Sequence, residues 1–427
     1  MKRKVSIVLF VASLFTASAI YGQQQQSNTN SNVYNNTMTI FKTDVDKLQD
    51  VNDYQEVAIN KAYIIAGSRF DNAAPSGIRG IKGGFATYLN DLYLGILYDG
   101  YLWNGNNNKV GSNSNSTFTF NNNFSVLFGK ESFGGIGITL GFNMLQFDED
   151  KAGGTTRNTR SGMINLGATW GKNFDFKDGT LKPELGFLVG IDMNEVKESI
   201  GNTTTTGGHG PSLLGLNLST EYLYPKEGQH QTTLSFGDFP LFVFAYDEND
   251  QDPKNHHEGR FYNILDGEIK LVYDITGNLS LGYLAGLSLA FNAPSNNKDI
   301  GVSEFGFLPR LSAALTYKAS EKFLFNTGVR LGAMEPQFTS NYSPAGVANY
   351  NPFDNSMNDN FGIFYQSVKP KSGSESTSWY YLPFVGAWGI GLLWQPEQAL
   401  SADFSVSSLF NSPGNNLNFN VLFSLSL

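Results

Sequence analysis

The chain has 427 residues, no cysteine and a formal net charge of −9 at pH 7. The lack of cysteine excludes disulfides, zinc–thiolate sites, thiol nucleophiles and lipoprotein acylation, and the acidity argues against nucleic acid and anionic lipid as partners. With 34 Phe, 20 Tyr and 46 Gly but only 16% charged residues, the composition favours a membrane β-barrel over a soluble core.

The N-terminus has the features of an export signal. A basic start at 2–4 precedes an apolar stretch at 5–15, and small residues at 17–19 offer a cleavage site. We predict a signal peptide over 1–22, followed by a flexible periplasmic leader over 23–57. No later stretch approaches the roughly 18 apolar residues that a spanning helix needs, so we expect an exported chain without a helical anchor.

From about residue 58 onward, apolar and polar residues alternate in short segments, which is the pattern of strands with two different faces. The pattern is clearest at 417–427, where large apolar residues fill every odd position. Segments of about ten residues, even in number, predict an all-β fold: a transmembrane antiparallel up-and-down β-barrel over 58–427 with about 16 strands, or 14 because the first segment is weak. The predicted segments are 58–69, 80–90, 92–103, 116–128, 135–147, 161–174, 181–193, 212–224, 231–245, 260–275, 279–291, 305–317, 323–334, 379–394, 399–409 and 416–427.

The connections between these segments alternate between short turns and long loops. Barrels of the outer membrane have short periplasmic turns and long external loops, so both termini are expected on the periplasmic side. The connection over 335–378 is the longest and carries several aromatic residues. We expect it to form a constriction or a cap at the external mouth, in preference to a ligand-binding surface.

Charged residues fall on one face of the predicted strands. A basic residue on the lipid-facing side near mid-membrane costs about 2–4 kcal/mol and an acidic one somewhat less, so the charged face is expected to line the lumen. Asp238 is the exception, and we predict that a bulge at Pro240 resets the register there. The residues predicted to line the lumen and set selectivity are Asp99, Glu184, Glu221, Glu268, Lys270, Arg310, Arg330 and Asp403.

Aromatic residues occupy lipid-facing positions at the ends of those predicted strands that run towards the periplasm. An aromatic girdle at the membrane interface has this arrangement. The predicted girdle consists of Phe128, Trp170, Tyr222, Tyr273, Tyr317 and Trp394.

No pattern indicates an enzyme. None of the four histidines lies in the middle of a predicted strand, as the base of an outer-membrane phospholipase would. The loop over 247–258 combines carboxylates with His256 and His257, as an external protease or a metal site would, but a solvated loop explains it as well. We therefore expect no catalysis, no cofactor and no bound metal.

Three short motifs resemble those of a known group of proteins. Thr43–Leu48, Gly84–Ala86 and Leu92–Ile96 resemble uncharacterised spirochaete (treponeme-type) outer-membrane barrels over about the first hundred residues. The whole mature chain resembles porin-like outer-membrane proteins. These resemblances imply location in the cell outer membrane and a barrel architecture, without a substrate.

The expected function is an outer-membrane channel for passive diffusion of small hydrophilic solutes, weakly favouring cations. One alternative is a surface-exposed barrel whose long loops bind a host or matrix ligand. Another is a FadL-like transporter of hydrophobic substrates, which would need an apolar lumen that the pattern does not show. The expected partners are outer-membrane lipid and the outer-membrane insertion machinery, which would recognise the C-terminal strand although Leu427 replaces the usual Phe.

Overall fold

The structure is a computed structural model that describes residues 50–56, 61–70, 78–104, 108–110, 113–151, 155–192, 195–200, 203–207, 212–244, 260–294, 301–332, 362–369, 376–382, 386–397, 400–409 and 417–426. Apart from turns and one 3-10 turn at Tyr54–Glu56, these residues form β-strands. Within these ranges, no helix is long and apolar enough to cross a membrane.

The strands follow one another along the chain with short interruptions. They are β1 (Lys61–Phe70), β2 (Ile78–Leu89), β3 (Leu92–Asn104), β4 (Asn108–Val110), β5 (Asn113–Lys130), β6 (Gly134–Lys151), β7 (Thr155–Gly171), β8 (Phe174–Phe176), β9 (Gly179–Asp192), β10 (Glu195–Ile200), β11 (Thr203–Gly207), β12 (Ser212–Leu223), β13 (His230–Asp238), β14 (Leu241–Phe244), β15 (Arg260–Thr276), β16 (Leu279–Pro294), β17 (Gly301–Ser320), β18 (Phe323–Gly332), β19 (Gly362–Lys369), β20 (Ser376–Leu382), β21 (Gly386–Glu397), β22 (Leu400–Leu409) and β23 (Leu417–Ser426).

The strands close into one antiparallel barrel. Each wall strand pairs with its neighbours along the chain, and β1 pairs with both β2 and β23, from Lys61 opposite Ser426 to Phe70 opposite Leu417. Of the 23 strands in the sheet, β14 continues β13. Along their shared partners, β4 follows β3, β10 follows β9 and β19 follows β18. The strands β8, β11 and β20 pair with β9, β10 and β19. The wall therefore has sixteen strands, which confirms the predicted all-β, up-and-down transmembrane barrel.

The two rims of the barrel differ in their connections. At one rim, strands join through short turns such as Asn90-Asp91, 131–133, 277–278 and 321–322. Asn90 has a φ of 59°, the left-handed conformation that two-residue hairpin turns require and that Asn adopts readily. We call this end the short-turn rim and the opposite end the long-loop rim.

The alternation of the sequence becomes the two faces of the wall. On β6, Ile136, Ile138 and Leu140 are exposed on the outer face, whereas Thr139 between them is buried on the inner face. The same alternation recurs around the barrel, with large apolar side chains exposed outside. A belt of exposed apolar side chains is stable against lipid and costly against water, so the outer face fits a hydrocarbon environment.

Several wall strands extend well beyond the length that crosses a membrane. A transmembrane strand needs about 9–11 residues, whereas β5, β6 and β7 have 18, 18 and 17, and β17 has 20. Beyond the long-loop rim the hairpin β10–β11 pairs with residues 155–160 of β7, and the hairpin β19–β20 pairs through β19 with residues 301–307 of β17.

The predicted strand 379–394 is described in two parts, in β20 and in β21, with residues 383–385 outside the described residues. The described part of the 335–378 connection, including β19, extends the wall by pairing with β17. The expectation of a constriction or a cap stays a prediction. Residues 333–361 and 370–375 lie outside the described residues.

The predicted register change at Pro240 is wrong. Leu218 lies opposite Asp238 and Leu213 opposite Val243, so the pairing with β12 keeps one register on both sides of Pro240. The pairing with β15 is equally continuous. Pro240 interrupts the strand without adding a residue, because its carbonyl still accepts a hydrogen bond from the Leu216 amide (2.9 Å). The side chain of Asp238 therefore lies on the outer face of the wall, where it is half-buried.

Candidate functional site in the barrel interior

Residues Asp50–Glu56, here called the N-terminal segment, lie inside the barrel at the short-turn rim. The segment folds as a tight turn: the Asp50 carboxylate accepts hydrogen bonds from the Asn52 amide (2.8 Å) and the Asp53 amide (3.2 Å). Val51, Asn52, Asp53 and Tyr54 are all buried, and Tyr54 is only 2% exposed. The prediction of a flexible leader is wrong for these residues, because the inner wall holds both their apolar and their charged side chains. Residues 1–49 lie outside the described residues.

Three inward-facing glycines make room for this segment. A Cβ atom at Gly129 would overlap the ring of Tyr54, and one at Gly135 would overlap the carbonyl of Val51. At Gly171, a Cβ would lie 2.6 Å from the side-chain oxygen of Asn52. The wall of β5, β6 and β7 is therefore shaped to the backbone and side chains of the segment.

The ring of Tyr54 fills an apolar patch on the inner wall. Tyr54 packs with Val51 in one buried cluster with Ala86, Tyr93, Leu97 and Leu127, and its ring centroid lies 4.9 Å from that of Tyr93. Its hydroxyl donates to the Gly134 carbonyl at 3.3 Å. Burial raises the pKa of the Tyr54 phenol, partly offset by a hydrogen bond from the Gln55 amide (3.1 Å). This patch was not predicted from the sequence, although the large inward residues of β3 and β5 are its signal.

A buried ion pair fixes the charged side of the segment to the wall. The Lys182 ammonium lies 2.5 Å from Asp53 and 3.6 Å from Glu56, and the side chains of Lys182 and Asp53 are 8% and 4% exposed. The Asn52 side chain donates to the Pro183 carbonyl at 3.5 Å, and the Asn173 side chain donates to the Asn52 carbonyl at 2.8 Å. The segment is thus attached to β9 by charge and to β3 and β5 by apolar contact.

A second buried charge cluster lies across the barrel on β15, β16 and β17. The Arg310 guanidinium makes two hydrogen bonds to Asp266, at 2.6 and 2.7 Å, and one to Glu268 at 2.9 Å. Ser288 accepts from Arg310 (2.9 Å) and donates to Asp266 (2.5 Å). Gly286 lies under the guanidinium, where a Cβ would come within 2.6 Å. All of these groups belong to adjacent positions of the wall itself.

Neutral polar side chains also line the inner wall on β5, β6, β7 and β12. The hydroxyls of Ser125 and Thr139 are 2.8 Å apart, and the Asn217 side chain donates to Glu184 at 2.6 Å. These groups are on the inner face but are largely buried, as is Asn165, which is 1% exposed. The described interior is therefore polar and closely packed, with little of its wall open to a wide column of water.

Of the predicted lumen residues, Arg310 and Glu268 belong to the charge cluster on β15, β16 and β17. Six of them lie on the inward-facing positions of their strands, and Arg330 is 1% exposed: Glu184, Glu221, Glu268, Lys270, Arg310 and Arg330. Arg310 and Glu268 contact each other directly, whereas Glu184 contacts Asn217. Asp99 and Asp403 lie on β3 and β22, but their side chains lie outside the described part. A role of these residues in selectivity stays a prediction.

The predicted girdle residues lie on the outer face near the short-turn rim. Tyr222 donates to the Phe176 carbonyl (3.3 Å), and the ring of Tyr273 stacks on His230 with centroids 4.6 Å apart. The Trp170 indole N–H donates to the Phe133 carbonyl at 2.9 Å. Phe128, Tyr317 and Trp394 are exposed. This placement at one level is compatible with a girdle, whose contact with lipid stays a prediction.

The described residues also bear on the remaining predictions. Among them, no group of three or more Asp, Glu and His side chains is placed to hold a metal ion. The loop that contains His256 and His257 lies outside the described residues, and so does His209. The expectation of a non-enzyme stays a prediction.

Comparison with known proteins gives fold neighbours alone. No protein-family model and no curated protein sequence matches the chain, so the spirochaete resemblance stays a prediction. Similar solved structures include CdiB from Acinetobacter baumannii (8% identity, TM-score 0.42, covering 87% of this chain and 60% of CdiB) and the copper transporter OprC (7%, 0.40, 86% and 80%). A Pseudomonas aeruginosa FadL homologue also matches (11%, 0.32, 95% and 98%). At these identities and TM-scores, the activities of these proteins say nothing about the activity of this chain.

Proposed function

We propose that the chain is exported to the outer membrane and acts there as a channel for small hydrophilic solutes. The observation that carries the proposal is the separation of the two faces of a closed sixteen-strand wall, apolar outside and charged or polar inside. Polar side chains on the inner face can hydrogen-bond to water and to polar solutes. They suit a path for polar solutes.

The buried state of the inner wall favours a gated channel over a permanently open one. Arg310, Asn165 and Thr139 face inward with at most 2% of their surface exposed, and the N-terminal segment occupies part of the short-turn rim. In a wide, open pore these side chains would contact water. We therefore propose that conduction requires the interior to rearrange, with the N-terminal segment as the part that moves.

A weak preference for cations would come largely from the N-terminal segment. On the described wall, Lys182, Lys270, Arg310 and Arg330 balance Glu184, Glu221, Asp266 and Glu268, and Asp274 at the rim is paired with Lys226 at 2.8 Å. The segment adds Asp50, Asp53 and Glu56 without a basic residue. The excess of negative charge at the mouth attracts cations and repels anions over a distance of about one Debye length, roughly 8 Å at physiological salt.

Single-channel conductance of the refolded full-length mature protein in a planar bilayer tests the proposal. We expect discrete current steps and, under a salt gradient, a mild cation preference that weakens in the double variant E184Q/E221Q. The matched control is E321Q, which neutralises an exposed carboxylate in a short turn. Absence of current from folded protein would contradict the channel, and unchanged selectivity in E184Q/E221Q would contradict the role of these carboxylates.

A second candidate function is favoured by one feature of the external hairpin β19–β20. Trp379 is 68% exposed there, with its ring 5.1 Å from that of Tyr365. Exposed aromatic side chains are common anchors of binding surfaces. A barrel that binds a host or matrix ligand should lose binding when residues 340–375 are deleted or in W379A, whereas a channel should retain its current in W379A.

A further inference from the structure

We propose that Lys182 on β9 and the apolar patch on β3 and β5 form a binding site for a short peptide in which an acidic residue precedes an aromatic one, and that the N-terminal segment occupies this site as an internal ligand. Asp53 supplies the carboxylate and Tyr54 supplies the aromatic ring in the present structure. A solute with both groups would compete with the segment and displace it from the short-turn rim. This inference rests on the proposed function, because it identifies the solute class that opens the channel.

The burial of Lys182 calls for an anion at this position. Its side chain is 8% exposed and its nearest partner, Asp53, belongs to the segment. A buried charge that loses its partner is strongly destabilising, so the segment leaves most easily when another carboxylate takes the place of Asp53. The Asn173 side chain, which donates to the Asn52 carbonyl at 2.8 Å, would offer an incoming solute a second polar contact.

The neighbouring surface selects for a flat apolar body. Tyr93, Leu97 and Leu127 form one side of the patch, and Gly129 leaves the volume that the Tyr54 ring fills. The Gly134 carbonyl accepts from the phenol of Tyr54 at 3.3 Å, so a ring hydroxyl would have an acceptor. In two consecutive residues such as Asp53 and Tyr54, seven bonds separate the carboxylate carbon from the ring, so a short peptide with an acidic residue before an aromatic one reproduces both groups.

The segment can leave the site without disturbing the barrel. Within the described residues, its backbone-to-backbone hydrogen bonds run inside its own turn, from the Tyr54 amide to the Asp50 carbonyl (3.1 Å) and from the Glu56 amide to the Asp53 carbonyl (2.9 Å). It contributes no strand to the sheet. Contacts that involve its side chains and the Asn52 carbonyl hold it in place, and a solute with a carboxylate and a ring would replace those of Asp53 and Tyr54.

Equilibrium dialysis of the radiolabelled acidic peptide N-acetyl-Asp-Tyr-amide against the folded full-length mature protein in detergent micelles tests the inference. K182Q should abolish binding, and K182R should restore part of it. D53N removes the competing carboxylate. If the segment is docked about nine-tenths of the time in the parent protein, its release strengthens the apparent affinity about tenfold.

Two controls make these outcomes specific. The neutral amide analogue N-acetyl-Asn-Tyr-amide should not bind, and E321Q should bind the acid as the parent protein does. The gel mobility of unheated samples shows that each variant forms a barrel. Equal binding of the acid by the parent protein, D53N and K182Q would overturn the inference, as would equal binding of acid and amide.

The assay also separates this inference from the proposed function, because it needs no current. Binding that depends on Lys182 in a protein that conducts nothing would refute the channel and leave the site established. Discrete current steps without such binding would refute the site alone.

Discussion

The two buried charge clusters of the inner wall differ in what they connect. On β15, β16 and β17, Arg310 binds Asp266 and Glu268 within 2.9 Å, and every partner belongs to the sheet. On β9, Lys182 binds Asp53 at 2.5 Å, and this partner belongs to a segment outside the sheet. Both are buried ion pairs, but the first joins wall strands to each other and the second joins the wall to a part that can leave.

A buried ion pair can therefore stabilise the barrel, as at Arg310, or control whether the N-terminal segment stays docked, as at Lys182. Breaking a buried ion pair is costly because an unpaired charge remains. In the Arg310 cluster the cost falls on the barrel, since sheet and cluster separate only on unfolding. At Lys182 the cost falls on the docked state of the N-terminal segment, and a solute can offset it.

The largest effect is expected from removing Arg310. R310Q leaves the Asp266 and Glu268 carboxylates buried next to each other without a counter-ion, and breaking such a cluster costs about 3–5 kcal/mol. The barrel of R310Q should therefore unfold at a clearly lower temperature, measured as the temperature at which the compact gel band disappears.

The triple variant R310Q/D266N/E268Q sharpens this prediction. It removes all three charges while keeping side chains of similar size, so most of the lost stability should return. If R310Q is as stable as the parent protein, the Arg310 cluster does not hold the strands together.

A smaller effect, confined to the N-terminal segment, is expected from G135A. The added methyl overlaps the Val51 carbonyl, and overpacking of this kind costs about 1–3 kcal/mol. Such a change raises the undocked population of the segment by a factor of about 5 to 150. The increase should appear as faster protease cleavage within 50–56. The unfolding temperature of the barrel should change little.

The matched control is G267A, where a Cβ meets no atom within 4 Å. Its cleavage rate should equal that of the parent protein. Equal rates in G135A and the parent would mean that the segment does not depend on its glycine contacts, and the contrast between the two charge clusters would weaken.

The smallest effect is a loosening of the segment at high pH. Burial raises the pKa of the Tyr54 phenol in the docked state, so docking is fully stable below the ordinary tyrosine pKa of about 10. Docking weakens as pH rises through the raised pKa, because only the undocked phenol ionises readily. Cleavage within 50–56 should therefore accelerate in strongly alkaline buffer.

Y54F isolates this contribution. It removes the ionisable group together with the hydrogen bond to the Gly134 carbonyl, so its cleavage rate should be slightly higher than that of the parent at neutral pH. It should lack the additional rise at high pH. An identical alkaline response in Y54F and the parent would assign the loosening to another group.

The sequence by itself determined the barrel wall. Strict alternation fixes which side chain points to which face, because successive residues of a strand point to opposite sides. For this reason the bounds of β12 and β15 and the inward positions of Glu184, Glu268, Arg310 and Arg330 could be predicted from local pattern alone. The strand count followed from the same repeated pattern.

Only the tertiary structure decided what fills the wall and which groups meet. Asp53 and Lys182 are 129 positions apart, and the short acidic segment around Val51 and Tyr54 carries no periodic signal. Alternation assigns a residue to a face but not a partner across strands. Three features depend on pairing between distant segments: the contact of Arg310 with Asp266, the space that Gly135 leaves for Val51, and the unbroken register at Pro240. Closure of the sheet fixes this pairing, and local sequence does not encode it.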